Sequence, residues 1–381
     1  MAAGATIGSN HNSRSPDGEI QAGRGFWPGL CVSLKHNSKF ASFTILAKGD
    51  YPVELNIPIP FSLVSNDVAN DRLLVMPGYW FQYNMYALAR NSWKYVARDH
   101  RITKKQLIEF GFLAPDTINE IITSITLLQK LTGKAYLKST NDTARPGEEE
   151  IIRIGKNLLE ANDPIVNELE IVSHEFENSS RKAVLIKVQN AYNQFKELIT
   201  YNAVQQMIPF LADNSVKTIA QFQAQLPVKT SLSSWMNIGG QLILRSAIDK
   251  LLIQIVSNKV KTWDDVHSFY ASNADQYPLE KLKHAAAALK EVHGISLKKA
   301  NITTINNLLQ QSITTKEWMV KGIHDSRAKD YTNAFRKMAF NNIDEMNAVT
   351  GKLNDNSFIK QELAALASYK KTIQQLVKKL G

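Results

Sequence analysis

Cysteine is almost absent from this sequence: Cys31 is the one thiol among 381 residues. One thiol excludes an internal disulfide, and no cysteine and histidine cluster has the spacing of a zinc site. Long apolar runs are also lacking, since none approaches the ~18–20 residues that span a bilayer. The N-terminus has no basic stretch followed by an apolar core, so we expect no signal peptide. These absences predict a reduced, cytoplasmic setting without a membrane partner.

Several enzyme signatures are missing as well. The sequence contains no phosphate loop, no dinucleotide-binding glycine pattern, no nucleophile elbow and no zinc signature. We therefore expect no cofactor and no metal, and the absence of motifs leaves open whether the chain is an enzyme.

The charge of the chain is unbalanced toward the basic side, with a formal net charge of +10. An excess of cations favours anionic partners such as phosphate esters, nucleotides or nucleic acid. Because the basic residues are spread along the chain rather than grouped in one block, nucleic acid ranks below a phosphorylated small molecule. The hydrophobic content of 44% and the charged content of 21% are typical of a folded protein rather than a disordered one.

A six-residue period runs through residues 22–57. Divided into hexads, the stretch reads AGRGFW, PGLCVS, LKHNSK, FASFTI, LAKGDY and PVELNI. Most first positions are apolar and most second positions are small. This period fits neither an α-helix nor an ordinary strand, and it is typical of a left-handed parallel β-helix in which the first residue of each hexad points inward. We predict short terminal coils of such a β-helix over residues 1–64, with a loop insertion at SRSPDGE.

After residue 64 the apolar residues follow the period of an α-helix. They predict helices at 116–132, 181–211, 239–256, 279–293, 303–321, 325–350 and 357–380, without a second sheet. An aromatic and basic stretch at 65–112 is expected to pack on the β-helix as a helical bridge. Residues 113–381 are expected to form a large α-helical domain.

Three stretches resemble one known protein family: residues 7–64, the segment YWFQYNMYALARNSWKYVARDHR at 79–101, and SRAKDYTNAFRKMAFNNIDEMNAVTGKLNDNSFI at 326–359. They are similar to a bacterial hexapeptide-repeat family of unknown function. That family belongs to the trimeric superfamily typified by UDP-N-acetylglucosamine acyltransferase. The resemblance implies a homotrimer formed through the β-helix, and it implies a C-terminal portion of a longer repeat. It supplies no assigned activity that can be transferred residue by residue.

The tripeptide His-Asn-Ser occurs twice, beginning at His11 and at His36. In the hexad frame the two histidines lie near one corner, one coil apart, which is about 5 Å of rise. Transferases of the resembled superfamily place a histidine base in the cleft between subunits. We therefore predict that His36 is a catalytic base assisted by His11. The alternative is that both histidines are solvated corner residues.

A second candidate site is basic. Arg90, Lys94, Arg98 and Arg101 are spaced four, four and three residues apart, which places them on one face of a helix. Four cations on one face repel each other unless an anion lies opposite. The pattern predicts a phosphate-binding face, and the alternative is neutralisation by carboxylates of a neighbouring helix.

Two further groups are weaker candidates. Glu170, His174, Glu177 and Arg181 would share one helical face, where we favour a salt-bridge network over a metal site. The segment GIHDSRAKD at 322–330 would open a helix, with Asp325 or Ser326 as its N-cap and with His324 and Arg327 near a phosphate as the alternative.

Three functions remain open from the sequence. The first is a transferase-like protein that acts on a sugar nucleotide or another phosphorylated small molecule. The second is a non-enzymatic scaffold for oligomerisation or protein interaction, and the third is a nucleic-acid binder.

Overall fold

The computed structural model describes residues 4–8, 18–140, 146–228 and 230–380. The chain divides into two compact units. The first unit consists of Met1–Gln82 and Glu120–Lys196, and the second consists of Tyr83–Asn119 and Glu197–Gly381. Within the described residues, no helix is both long enough and apolar enough to cross a membrane.

The strands are short. They are β1 (Thr6–Gly8), β2 (Gln21–Ala22), β3 (Trp27–Pro28), β4 (Ser33–Lys35), β5 (Lys39–Phe40), β6 (Ile45–Leu46), β7 (Asp50–Tyr51), β8 (Asn56–Ile57), β9 (Leu63–Asp67), β10 (Arg72–Met76), β11 (Ile171–Ser173), β12 (Lys182–Leu185), β13 (Trp235–Ile238) and β14 (Gln241–Leu244).

The helices make up most of the rest. They are α1 (Tyr79–Tyr83), α2 (Met85–Arg98), α3 (Pro115–Ser139), α4 (Glu148–Glu160), α5 (Val188–Ala212), α6 (Ile219–Ala224), α7 (Arg245–Val256), α8 (Trp263–His293), α9 (Ile302–Thr332), α10 (Ala334–Lys337), α11 (Ile343–Thr350) and α12 (Ser357–Leu380).

The first unit is built on mixed sheets. Two small parallel sheets have the strand orders β1-β4-β7 and β2-β5-β8, and a larger sheet has the order β11-β12-β10-β9-β6-β3. In the larger sheet β10 runs antiparallel to β9 but parallel to β12, and β11 runs antiparallel to β12. The predicted left-handed parallel β-helix is therefore wrong, because parallel and antiparallel strands are combined and partner strands come from residues 171–185.

The hexad pattern did locate part of the core of this unit. Pro28, Leu34, Phe40 and Leu46, four of the six first positions, are buried. At the last hexad Tyr51 is buried and Pro52 is exposed, so the inward position has moved by one residue. The six-residue period thus reports where apolar side chains enter the core, but it does not determine which strands pair or in which direction.

Two glycines bring helices α3 and α4 of the first unit into backbone contact. A Cβ atom on Gly155 would lie 1.9 Å from the carbonyl oxygen of Gln129, and one on Gly133 would lie 2.0 Å from that of Ile151. Neither position has room for a side chain, so glycine allows the two helices to approach closely.

The second unit is mainly helical, and we call it the helical unit. One of its core clusters combines residues of α5, α6, α8, α9 and α12. Helix α8 begins with a capping box between Thr262 and Asp265 and is followed by Gly294, which has φ 69°. The predicted start after Pro278 is wrong because Pro278 lies inside α8. The predicted helix at 325–350 is also interrupted, by the ends of α9 and α10. The hairpin β13–β14 and strands β11 and β12 correct the expectation of no second sheet.

Candidate functional site

His36 follows strand β4 directly and is half-buried. A Cβ atom on Gly18 would lie 2.4 Å from the Cδ2 of His36, so residues 18–19 cover one side of the ring. The backbone N–H of Asn37 donates to the carbonyl of Glu19 at 2.9 Å. His11 lies outside the described residues. The pairing of His36 with His11 as a catalytic base therefore stays a prediction.

The Glu54 carboxylate lies within electrostatic range of His36. A hydrogen bond from the Asn178 amide holds the pKa of the Glu54 carboxyl below its usual range, and the positive charges of Lys35 and His36 act in the same direction more weakly. The surroundings of His36 thus include a carboxylate that is ionised at neutral pH.

Three of the four predicted phosphate-binding residues lie on helix α2. Arg90 and Lys94 are half-buried and Arg98 is exposed, at successive four-residue steps. The pKa of Lys94 is lowered by desolvation and then by the positive charges of Arg90 and Arg98. Within the described part of the chain, no carboxylate forms an ion pair with any of the three. We call Arg90, Lys94 and Arg98 the basic stripe.

Arg101 does not belong to the stripe, because helix α2 ends at Arg98. Its guanidinium binds both carboxylate oxygens of Asp99, at 2.7 Å and 2.9 Å, and donates to the Tyr95 hydroxyl at 3.1 Å. This pairing holds the pKa of the Asp99 carboxyl well below its usual range. The charge of Arg101 is therefore compensated within the chain, unlike the charges of the stripe.

The predicted helical face from Glu170 to Arg181 is not a helix. Glu170 precedes β11, and the other three residues lie in the segment between β11 and β12. The Arg181 guanidinium binds both oxygens of the buried Glu177 carboxylate at 2.6 Å and donates to Asn66 at 2.7 Å. Lys182 pairs with Glu170 at 2.8 Å, and His174 is exposed. Three of these four residues thus take part in ion pairs, which is the alternative that we favoured over a metal site. Among the residues that the structure describes, no group has the composition of a metal-binding cluster.

His324 and Asp325 lie inside helix α9 rather than at a helix start, so the predicted N-cap role is wrong. Asp325 forms an ion pair with Lys321, and the Asp325 Oδ1 lies 3.2 Å from the Nδ1 of His324. Ser326 accepts a hydrogen bond from the backbone N–H of Tyr86 at 2.9 Å. The alternative, a phosphate bound by His324 and Arg327 at a helix start, is also wrong in its placement, because both residues lie within α9 and Arg327 pairs with Asp330.

Sequence reasoning missed a cavity of about 330 Å³ in the helical unit. One wall is the face of α2 opposite the basic stripe, and the others come from α9, α12, α5 and residues 110–112. Its polar groups are Ser92, the buried Tyr201 and the Lys316–Glu362 ion pair, with 2.9 Å between Nζ and Oε2. Burial raises the pKa of the Tyr201 hydroxyl, which keeps it neutral. The lining residues are Met85, Ala89, Ser92, Trp93, Val96, Phe110, Phe112, Tyr201, Lys316, Met319, Ile323 and Glu362.

Helix α2 is the part of the cavity wall whose sequence pattern could have indicated a binding face. Small and apolar residues occupy one side of that helix and the basic stripe occupies another. Most residues of the other walls lie one hundred or more positions after α2 in the sequence. No local sequence pattern could therefore connect them with α2.

Comparisons with known proteins place the chain beside proteins whose activity is not assigned. Residues 215–380 match the family model described as Domain of unknown function (DUF6819). The chain is 37% identical over 362 residues to an uncharacterized protein of Treponema pallidum (strain Nichols). The alignment covers 94% of this chain and 48% of that protein, so the chain spans about half the length of this relative. No solved structure matches.

These matches correct the resemblance to the hexapeptide-repeat, UDP-N-acetylglucosamine acyltransferase-like proteins. The matched family model is a different one, and the sheets of the first unit are mixed rather than a left-handed β-helix. The matched stretch contains Lys316, Met319, Ile323 and Glu362 of the cavity, but it does not contain the basic stripe.

Proposed function

We propose that this protein binds a phosphorylated small molecule through the basic stripe on helix α2. The observation that carries the proposal is the contrast between neighbouring cations. Arg101 is held by Asp99, whereas Arg90, Lys94 and Arg98 have no carboxylate partner among the described residues. A set of like charges left uncompensated on one helical face favours a bound anion.

The geometry of the stripe supports a ligand with more than one phosphate oxygen group. Residues four apart on a helix are separated by about 6 Å along its axis, so the stripe extends over about 12 Å. Two arginines supply planar guanidinium groups that bind phosphate through paired hydrogen bonds, and the lysine between them adds a point charge. A diphosphate such as that of a sugar nucleotide can therefore contact adjacent turns of α2.

The lowered pKa of Lys94 is consistent with this proposal. Desolvation is the main cause of the lowered pKa of Lys94, and the positive charges of Arg90 and Arg98 add to it. A phosphate placed beside Lys94 would relieve the repulsion among the three cations. Arg90 also lies over the ring of Tyr86, at 5.9 Å from the ring centroid, which limits the directions in which its guanidinium points.

Transferase chemistry and the homotrimer are not part of this proposal, because both depended on the hexapeptide-repeat resemblance. The proposal also includes a cytoplasmic setting, which the single cysteine supports.

The test is isothermal titration calorimetry with three ligands: UDP-N-acetylglucosamine, inorganic pyrophosphate and a single-stranded oligonucleotide. The variants are Arg90→Gln, Lys94→Gln and Arg98→Gln. Lys105→Gln is the matched control, since Lys105 is an exposed cation outside the stripe. Each stripe variant should weaken binding about 10-fold, because a charge-assisted hydrogen bond contributes about 1.5 kcal/mol. The control should bind like the wild type.

Two other results would favour the rival functions. Tightest binding of the oligonucleotide, with a steep loss of affinity as salt rises, would favour a nucleic-acid binder. Absence of binding across all three ligands would favour the scaffold. Equal affinity of the wild type and all three stripe variants for pyrophosphate would contradict the proposed site itself.

A further inference from the structure

We infer that the helical unit contains a second ligand site, the cavity of about 330 Å³, which binds a neutral amphipathic small molecule with an aromatic or alkyl body and an amide or alcohol head. This site is independent of the proposed phosphate site. It uses the opposite face of α2 and none of the three stripe residues.

The walls of the cavity suit an apolar body. Met85, Met319 and Ile323 are buried at 1%, 3% and 1% exposure. Trp93 and Phe112 add aromatic surface. Methionine side chains adapt to the shape of a guest, and aromatic rings offer flat contact area. The volume lies at the lower end of the range for small-molecule pockets, which indicates a ligand of the size of a substituted indole or benzene.

The mouth of the cavity is apolar and open to solvent. Val96 is 57% exposed and Phe110 is 45% exposed, although both lie on the cavity lining. Exposed apolar side chains at the rim of a concave site are typical of a ligand entrance. An apolar guest would remove part of this surface from water.

The polar end contains groups that both donate and accept hydrogen bonds. The Lys316 ammonium uses one contact on the Oε2 of Glu362, at 2.9 Å, and has further donors. The side chains of Lys316 and Glu362 are 16% and 21% exposed, so the pair is mostly shielded from water. No described residue forms a hydrogen bond with the Tyr201 hydroxyl, although Tyr201 is only 8% exposed. The Tyr201 oxygen is not among the fully buried side-chain atoms that lack a partner, so it is accessible from the cavity. Its hydroxyl can donate a hydrogen bond to a guest or accept one from it.

The charges at this end select a neutral head group. The charges of Lys316 and Glu362 compensate each other. An anionic guest that approached Lys316 would be repelled by the neighbouring Glu362 carboxylate, and a cationic guest that approached Glu362 would be repelled by the Lys316 ammonium. Either guest would also lose its hydration on entering. An amide or a hydroxyl can accept from Lys316 and donate to Glu362 or Tyr201 without adding a charge.

The experiment compares three probes with the same apolar body: indole-3-acetamide, indole-3-acetate and tryptamine. They are titrated into the full chain by calorimetry at pH 7.5, and binding is located by NMR of ¹³C-methyl methionine. The amide should bind at least 5-fold more tightly than the anion and the cation. The methyl signals of Met85 and Met319 should shift as the amide is added.

Two variants test the assignment of the polar end and of the volume. Tyr201→Phe keeps the ring and removes the hydroxyl, so it should weaken binding of the amide about 5-fold. Ala89→Leu narrows the cavity from the α2 side and should weaken all three probes. Circular dichroism and the thermal midpoint establish that each variant is folded. Arg90→Gln is the matched control on the other face of α2, and it should leave binding of the amide unchanged.

Three results would overturn the inference: no saturable binding of the amide, equal binding of the charged probes, or an unchanged affinity in both folded variants. The Arg90→Gln control also separates the two sites. If Arg90→Gln weakens pyrophosphate binding and leaves amide binding unchanged, both sites are supported. If the wild type binds the amide but not pyrophosphate, only the phosphate proposal fails, and if it binds pyrophosphate but not the amide, only this inference fails.

Discussion

We predict that His284 makes the free energy of unfolding depend on pH, mainly between about pH 4 and pH 6.5. The residue lies in α8 and is 2% exposed. Its Nε2 lies 2.9 Å from the Asn119 Oδ1, and the Asn119 Nδ2 donates to the carbonyl of Ser233. The amide oxygen of Asn119 therefore faces the ring, so the neutral imidazole donates from Nε2. Trp235 packs edge-on against the ring, with 6.1 Å between centroids.

Burial lowers the pKa of His284 from 6.5 to about 4, although the negative charge of Asp116 opposes part of the shift. In the unfolded chain the same imidazole takes up a proton as the pH falls through about 6.5. Between these two values the unfolded state binds more protons than the folded state, so the free energy of unfolding falls as the pH is lowered. The slope reaches about 1.4 kcal/mol per pH unit, and the total loss by pH 4 is about 3 kcal/mol. Above about pH 7.5, where the imidazole is neutral in the unfolded chain as well, this residue contributes almost no pH dependence.

The assay is urea unfolding followed by circular dichroism at pH 7.5, 6.5, 5.5 and 4.5. His284→Gln removes the titrating group and keeps a donor toward Asn119. Its free energy of unfolding should therefore fall less steeply than that of the wild type below pH 6.5. His174→Gln, at an exposed histidine, is the control and should follow the wild type. Parallel curves for the wild type and His284→Gln across this range would refute the reasoning.

Three further predictions concern stability. Gly155→Ala should destabilise the protein by about 2–3 kcal/mol, because its Cβ would lie 1.9 Å from the Gln129 carbonyl oxygen; an unchanged thermal midpoint would show that α3 and α4 are not in contact there. Glu177→Gln should lower the free energy of unfolding in urea by about 2–3 kcal/mol. This is less than for a fully buried ion pair, because the Arg181 side chain is 16% exposed. An effect below about 0.5 kcal/mol would argue against a buried pair. Thr262→Ala should cost about 1 kcal/mol through loss of the capping box of α8, and Thr262→Ser should restore most of it in thermal unfolding.

Local features were the ones that could be predicted. Pro115 at the first position of α3 and Gly294 after the last residue of α8 act within a single turn of backbone, so their effect is visible in the sequence. The four-residue spacing of the basic stripe likewise follows from the period of one helix. The apolar first positions of the hexads, such as Leu34 and Leu46, are buried for the same local reason.

Features that depend on distant partners could not be predicted. The direction of β10 and the position of β12 beside it are decided by packing between segments more than one hundred residues apart. Arg101 has the spacing of a fourth stripe residue, but the helix ends before it and Asp99 binds it. The assignment of Glu177 and Arg181 to a helix was wrong because charge spacing cannot distinguish a helical face from a loop between two strands.

The sequence by itself determined the local elements: the start and end of several helices, the cations that share a face of α2, and many of the side chains that enter a core. Only the tertiary structure decided which strands pair, which charges are compensated and where a cavity remains. The reason is that hydrogen-bonding and capping preferences act over a few residues, whereas the cavity between α2, α9 and α12 exists only after distant helices have packed.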